Sequence, residues 1–142
     1  MAKMLFVNLP VRDLAASTCF YEAIGCVKNA QFSDERASSM MWSDEIVFQL
    51  LTRDYYATFI SRPVTDPHTS SAALFAISRD SRAEVDAIVA AAIAAGGKGD
   101  IREPQDLGFM YGRTFEDPDG NVFEPMFMDM AAAMAAGAPE PA

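Results

Sequence analysis

Glu124 is the residue whose type and setting point to chemistry. In Val122-Phe123-Glu124-Pro125-Met126-Phe127-Met128, alternation puts Val122, Glu124, Met126 and Met128 on one face of a strand and Phe123, Pro125 and Phe127 on the other. One carboxylate therefore stands in an apolar row. A carboxylate withdrawn from water is neutral, paired or metal-bound, because a lone buried charge is too costly. Such an acid suits hydrogen-bond acceptance, general-base work or metal ligation. The alternatives are a satisfied structural acid or a face turned to solvent.

The element that must hold Glu124 is a hairpin of Phe109 to Phe115 and Asn121 to Asp129. Its turn is Asp117-Pro118-Asp119-Gly120, in which Pro118 pre-sets φ and Gly120 closes the bend without steric cost. Upstream, Phe6 to Val11 reads as a strand. Asp13 caps a helix from Leu14 to Ile24 whose inner face carries Leu14, Thr18, Tyr21 and Ile24, and Gly25 stops it. Strands follow over Val27 to Phe32, Ser38 to Trp42 and Ile46 to Leu51.

Arg53 to Ser70 holds two prolines and the single histidine without periodicity, and reads as a mobile connecting loop with a short helical turn near Tyr55 to Ile60. A strand from Ala72 to Ser78 leads to Ser81-Arg-Ala-Glu84, which has capping-box spacing. The helix it opens buries Val85, Ile88, Val89, Ala92 and Ile93, and Gly96-Gly97 ends it. Lys98 to Ile101 reads as a short strand, and Glu103 to Gly108 as a polar loop. From Met130 the chain is alanine-rich, with Pro139 and Pro141, and reads as a frayed helix or disordered tail.

The order βαβββ thus occurs twice. Val47-Phe48-Gln49 matches Val122-Phe123-Glu124, making Gln49 the counterpart of Glu124, and Val11 corresponds to Ile77. The expected fold is α+β: two tandem βαβββ modules forming a cupped, partly open eight-stranded sheet around a cavity, with helices outside. Residues 4–52 form module one, 53–70 the connecting loop, 71–130 module two and 131–142 the tail, all within a single domain over 1–130.

Composition narrows the function. The 142 residues suffice for a core without staples, and Cys19 and Cys26 fit neither a metal motif nor a secreted disulfide framework, so reduced thiols in a cytoplasmic protein are expected. Twenty acids against 11 bases give a net charge of −9, which argues against nucleic acid and anionic membranes. The N-terminal apolar run is too short for a signal peptide, and no stretch matches a membrane span. The expected partners are a small-molecule ligand and a second copy of the chain in a homodimer.

Leu9-Pro10-Val11-Arg12-Asp13-Leu14-Ala-Ala-Ser17-Thr-Cys-Phe20-Tyr21-Glu-Ala-Ile24-Gly25 resembles the first strand and helix of the vicinal oxygen chelate superfamily, which contains glyoxalase I, extradiol dioxygenases, and bleomycin and fosfomycin resistance proteins. Asp117-Pro118-Asp119-Gly120-Asn121-Val122-Phe123-Glu124 resembles its last hairpin, and the likeness spans residues 4–129. The resemblance implies a metal held by one ligand from the first and one from the fourth strand of each module. Those positions fall at Phe6, with Asn8 next on its face, then Gln49, near Ala72, and Glu124. Only Glu124 matches, with Gln49 and His68 as weaker metal ligands; His68 sits upstream of the expected strand position, in a loop, where a single histidine is more often exposed than ligating.

Other motifs are bland. Gly96-Gly97-Lys98-Gly99 ends a helix rather than opening one, and Cys19 has no histidine near it in sequence. Tyr111 and Arg113 share a face of the seventh strand and are the candidates for pairing with Glu124, although Arg113 can instead be a surface cation. The expected site is Glu124 as acceptor or general base, with Asn8, Trp42, Gln49, Tyr111, Arg113 and Met126 binding a small, partly apolar molecule. No cofactor is required, and a divalent metal is the alternative, in a lyase, isomerase or dioxygenase. A third reading is a non-catalytic partner module.

Overall fold

Asp13 and Ser81 open the two long helices in the same way, each by accepting a hydrogen bond from the amide three residues on, at 3.0 Å from Ala16 and 3.1 Å from Glu84. Between and around them, a computed structural model describes residues 2–135 and 137. It is an α+β chain whose described strands form two sheets, one in each of two compact units. The first unit runs to Ser70 and includes Pro118–Gly120; the second holds the rest.

In the first unit, β1 (Leu5–Val11) is followed by α1 (Leu14–Ala23), β2 (Val27–Lys28), β3 (Ala37–Met41), β4 (Ile46–Thr52) and α2 (Arg53–Ala57). The sheet order is β1-β4-β3-β2, with β1 parallel to β4 and the other pairs antiparallel. α1 buries Ser17, Thr18, Phe20 and Tyr21, a face turned slightly from the expected one, with Leu14 at its edge. Tyr21 lies edge-on to Phe20 and tilted against Phe48, so ring packing rather than the Leu14 row fixes the helix.

The strand expected over Val27 to Phe32 stops at Lys28. Asn29 accepts from the Gln31 amide at 3.2 Å and starts a short 3-10 turn, Ala30–Phe32, because its side chain offers the backbone an alternative to the ladder. The loop after α2 is tied by side chains: Arg53 donates to the carbonyls of Val64 and Thr65, and Asp66 receives Arg12 at 3.2 Å and the His68 amide at 3.0 Å. The sequence reading of a connecting loop named none of these side-chain ties.

In the second unit, β5 (Leu74–Ser78) leads to α3 (Arg82–Ala94), β6 (Lys98–Gly99), β7 (Gln105–Asp106), β8 (Met110–Gly112), β9 (Phe115–Glu116), β10 (Val122–Met128) and α4 (Met130–Ala135). β10 pairs in parallel with β5 and antiparallel with β8 and β9, as β4 does with β1 and β3. The single strand expected over 109–115 is broken at Arg113-Thr114, where Thr114 takes the amides of Asp100 and Arg102 instead. The segment expected as a polar loop supplies β7, hairpinned onto β8.

α3 covers Phe123, which stacks on Phe115 at 5.1 Å and touches Phe75 at 5.3 Å. Val85, Ile88, Val89 and Ala92 are buried as expected, but Ile93 stays half exposed, its tip against Gly99, where any Cβ would lie 2.6 Å from it. The capping box is closed through Asp80, whose amide Glu84 accepts at 2.8 Å. Of the expected tail, residues 131–135 and 137 are described and the rest lie outside the described residues. No described helix is long and apolar enough to cross a membrane.

Candidate functional site

Alternation along β1, β3 and β4 builds a groove on the face of the first sheet. Met4, Phe6, Met41, Val47 and Phe32 supply its apolar wall, and Asn8, Asn29, Ser39 and Gln49 its polar points. Its volume is ≈ 480 Å³. Asn8 pairs across the sheet with Gln49, and Gln49 with Ser39, so two amides and a hydroxyl stand side by side. None of these three side chains hydrogen bonds to a described residue. Among the described residues no ionisable group lines the groove. Asn8 also borders a second hollow of ≈ 310 Å³ formed with Leu51, Tyr56, Phe59 and Ile60.

The 3-10 turn after Asn29 is what brings Phe32 to this groove, an outcome the strand expectation missed. Trp42 does not line it. One position beyond Met41 in the alternation, it lies on the opposite side beside Gly25, 3.7 Å from where a Cβ would stand.

In the second unit, Glu124 lies on the face of β10 opposite the helix-covered Phe123, with Met126 two positions on, and its partner is Arg102. The pair is not deeply buried, with side-chain exposures of 36% and 20%. Tyr111 and Arg113 do not join it. Tyr111 pairs with Phe127 across the ladder and so shares the α3 side, where it donates to Asp86 at 2.7 Å. Arg113 grips Asp100 through two nitrogens at 3.1 and 2.9 Å and reaches Asp86 at 3.0 Å.

These contacts shift titrations in the expected senses. The hydrogen bond from Tyr111, then Arg113, holds Asp86 below the ordinary carboxylate range, and the same bond raises the Tyr111 phenol. Arg82 grips Asp106 at 2.8 and 3.0 Å and, with the Gly108 amide, brings its pKa to about 2. Burial alone pushes the Cys26 thiol up to about 12. The shifted acids are thus structural partners of arginines.

The more deeply buried acids are those of the Asp117-Pro118-Asp119-Gly120 turn. Asp119 is 2% exposed and, within the first unit, accepts from the Arg12 amide at 3.0 Å and from the Ser17 hydroxyl at 3.2 Å. Asp117, 1% exposed, takes both the backbone and side-chain nitrogens of Asn121 at 2.9 Å. A usable signal was present: two aspartates flanking proline, followed by an asparagine whose amide can close the bracket. His68 is an exposed loop residue hydrogen bonded to Asp66 at 3.1 Å.

The pairing registers also correct the match between modules. Phe6 lies opposite Val47 as Leu74 lies opposite Val122, and Asn8 opposite Gln49 as Ala76 opposite Glu124. Leu74, not Ala72, is therefore the counterpart of Phe6, and Ile77 that of Leu9 rather than Val11. The four positions to which the resemblance assigns metal ligands carry Phe6 and Gln49 in the first unit and Leu74 and Glu124 in the second: two hydrocarbons, one neutral amide and one acid already paired with Arg102. Among the described residues no group of three or more His, Cys, Asp or Glu side chains converges. These residues do not fit a divalent ion, which needs about three protein ligands.

A family model described as the Glyoxalase/Bleomycin resistance protein/Dioxygenase superfamily matches residues 3–124. Among solved structures, a hypothetical protein from S. aureus is 23% identical, with a TM-score of 0.75 over 89% of this chain and 94% of that one. A glyoxalase/bleomycin resistance protein/dioxygenase family enzyme from Burkholderia phytofirmans is 22% identical, with a TM-score of 0.72 over 89% and 99%. A glyoxalase-related enzyme from Fulvimarina pelagi is 21% identical, with a TM-score of 0.75 over 89% and 88%. No curated protein matches the chain.

Proposed function

From the premise that the chain belongs to the glyoxalase/bleomycin resistance protein/dioxygenase superfamily, we propose that it binds a small, partly apolar molecule in the groove of its first sheet, without the metal site of the superfamily. The observation that carries this is the lining: a groove of ≈ 480 Å³ with an apolar wall and three polar side chains, Asn8, Ser39 and Gln49, that make no hydrogen bond to a described residue. An apolar hollow with a few convergent polar groups is the ordinary form of a small-molecule site. In this reading Gln49 and Asn8 orient the ligand. Glu124, fixed by Arg102, serves the second unit as a charged acceptor, with Met126 beside it.

Titration with a neutral naphthylamine dye tests the proposal. Saturable fluorescence enhancement is expected, lost in Phe6→Asp, a substitution the fold tolerates because Phe6 is 54% exposed. Dye binding that Phe6→Asp leaves unchanged would remove the groove from consideration. Trp42 lies outside the groove, so its emission should respond little. The metal-dependent lyase, isomerase or dioxygenase reading requires the opposite pattern: near one divalent ion per chain after purification without chelator, and a higher Tm with Zn²⁺, Ni²⁺, Mn²⁺ or Fe²⁺.

A further inference from the structure

Asn8 borders two hollows of the first unit, a larger one of ≈ 480 Å³ and a smaller one of ≈ 310 Å³ walled by Leu51, Tyr56, Phe59 and Ile60. Two apolar chambers thus meet at a side-chain amide that has neither its donor nor its acceptor engaged by a described residue. Among the described residues no carboxylate, amine or guanidinium lines either chamber, and the chain as a whole carries −9. Phe59 is 64% exposed and Ile60 39%, so the smaller chamber keeps apolar surface in water that a ligand would cover.

On the reading that the groove binds a small molecule, we infer that the ligand class is an uncharged, elongated molecule with two apolar ends joined by an amide or similar carbonyl group. One end fills the chamber of Phe6, Phe32 and Met41, the other that of Tyr56 and Phe59, and the joint lies at Asn8. A primary amide offers one acceptor and two N–H donors, which match the N–H and C=O of a ligand amide. An anionic end would be desolvated in either chamber with no cationic partner, and would meet a negatively charged protein first.

α2 is the element that makes the second chamber. Thr52 caps it by accepting the Tyr55 amide at 3.3 Å, and Tyr55 is held from both sides, by the Arg36 guanidinium 4.2 Å above its ring and by Phe59 at 5.0 Å. Arg53 ties the following loop to Val64 and Thr65. The chamber is therefore built before a ligand arrives, which favours binding by avoiding an ordering cost.

Three probes and one variant test the inference: N-benzylbenzamide, N-benzylacetamide and the para-carboxylate of N-benzylbenzamide, each read by displacement of the naphthylamine dye, with Phe59→Ser. N-benzylbenzamide should bind about tenfold more tightly than N-benzylacetamide, and about tenfold more tightly than its carboxylate. Phe59→Ser should erase the first difference while leaving N-benzylacetamide unchanged. A two-ring amide whose affinity ignores Phe59→Ser, or a carboxylate that binds as well as the neutral amide, would overturn the inference while leaving the small-molecule reading intact. Dye that binds nowhere would overturn both.

Discussion

Glu124 is paired with Arg102. The acid that alternation sets in an apolar row is met by a guanidinium from the loop between β6 and β7, held there because the Arg102 amide donates to the buried Thr114 hydroxyl at 3.2 Å. At 36% and 20% exposure the pair is partly screened, so its net contribution is modest. Arg102→Met should cost about 1 to 2 kcal/mol in urea unfolding, because it leaves a half-buried carboxylate unpaired. Adding Glu124→Leu should recover much of that loss; a double-mutant cycle with no coupling would show the two side chains to be independent. Alternation is a local rule and exposed the acid in the sequence. The arginine lay in a segment with no periodicity and gave no sign.

At the scale of elements, two devices carry testable consequences. Gly120 has φ +98, and a Cβ there would lie 2.5 Å from the His68 nitrogen and 2.8 Å from the Pro67 carbonyl carbon, both backbone atoms. Gly120→Ala should therefore destabilise by about 2 to 4 kcal/mol, combining a left-handed conformation with a clash that no rotamer relieves. A denaturation midpoint unchanged in that variant would contradict the packing described. The second device is the β7-β8 hairpin, clasped to α3 by Arg82 and Asp106.

The clasp sets a pH window. Arg82, then the Gly108 amide, lowers the pKa of Asp106 from 3.8 to about 2. A carboxylate that binds its proton more weakly when folded adds stability above its unfolded pKa and loses it as pH falls through the folded value. The Tm difference between the wild type and Asp106→Asn should be constant from neutral pH to about pH 5 and shrink between pH 3.8 and about 2. A difference that widens on acidification would reverse the assigned sign. The helix caps hold the legible part of this layer: the interval from Asp13 to Ser81 is also that from Phe6 to Leu74. Matching Val11 to Ile77 slips by two residues, an error that period-two alternation hides because the face is unchanged.

For the whole molecule, the expectation is self-association. β1 is an end strand of the first sheet and leaves Leu5 57% exposed. We propose that this edge pairs in a homodimer, since sheet edges with apolar side chains are seldom left open. Light scattering should give twice the chain mass, and Leu5→Lys should return it to one. A wild-type monomer at all concentrations would exclude the dimer.

What the sequence determined by itself was local: two βαβββ modules, the caps that start their helices, the face on which Glu124 and Gln49 sit, and a family likeness that needs only those patterns. Each follows from rules acting over a few residues. The tertiary structure decided the partners. Asp119 accepts from Arg12, 107 positions away in the chain; Tyr111 meets Asp86, 25 away; and Trp42 turns from the groove while Phe32 enters it. The reason is physical: alternation and capping fix which way a side chain leaves its own backbone, whereas the group it meets depends on loops and packing that no short-range rule specifies.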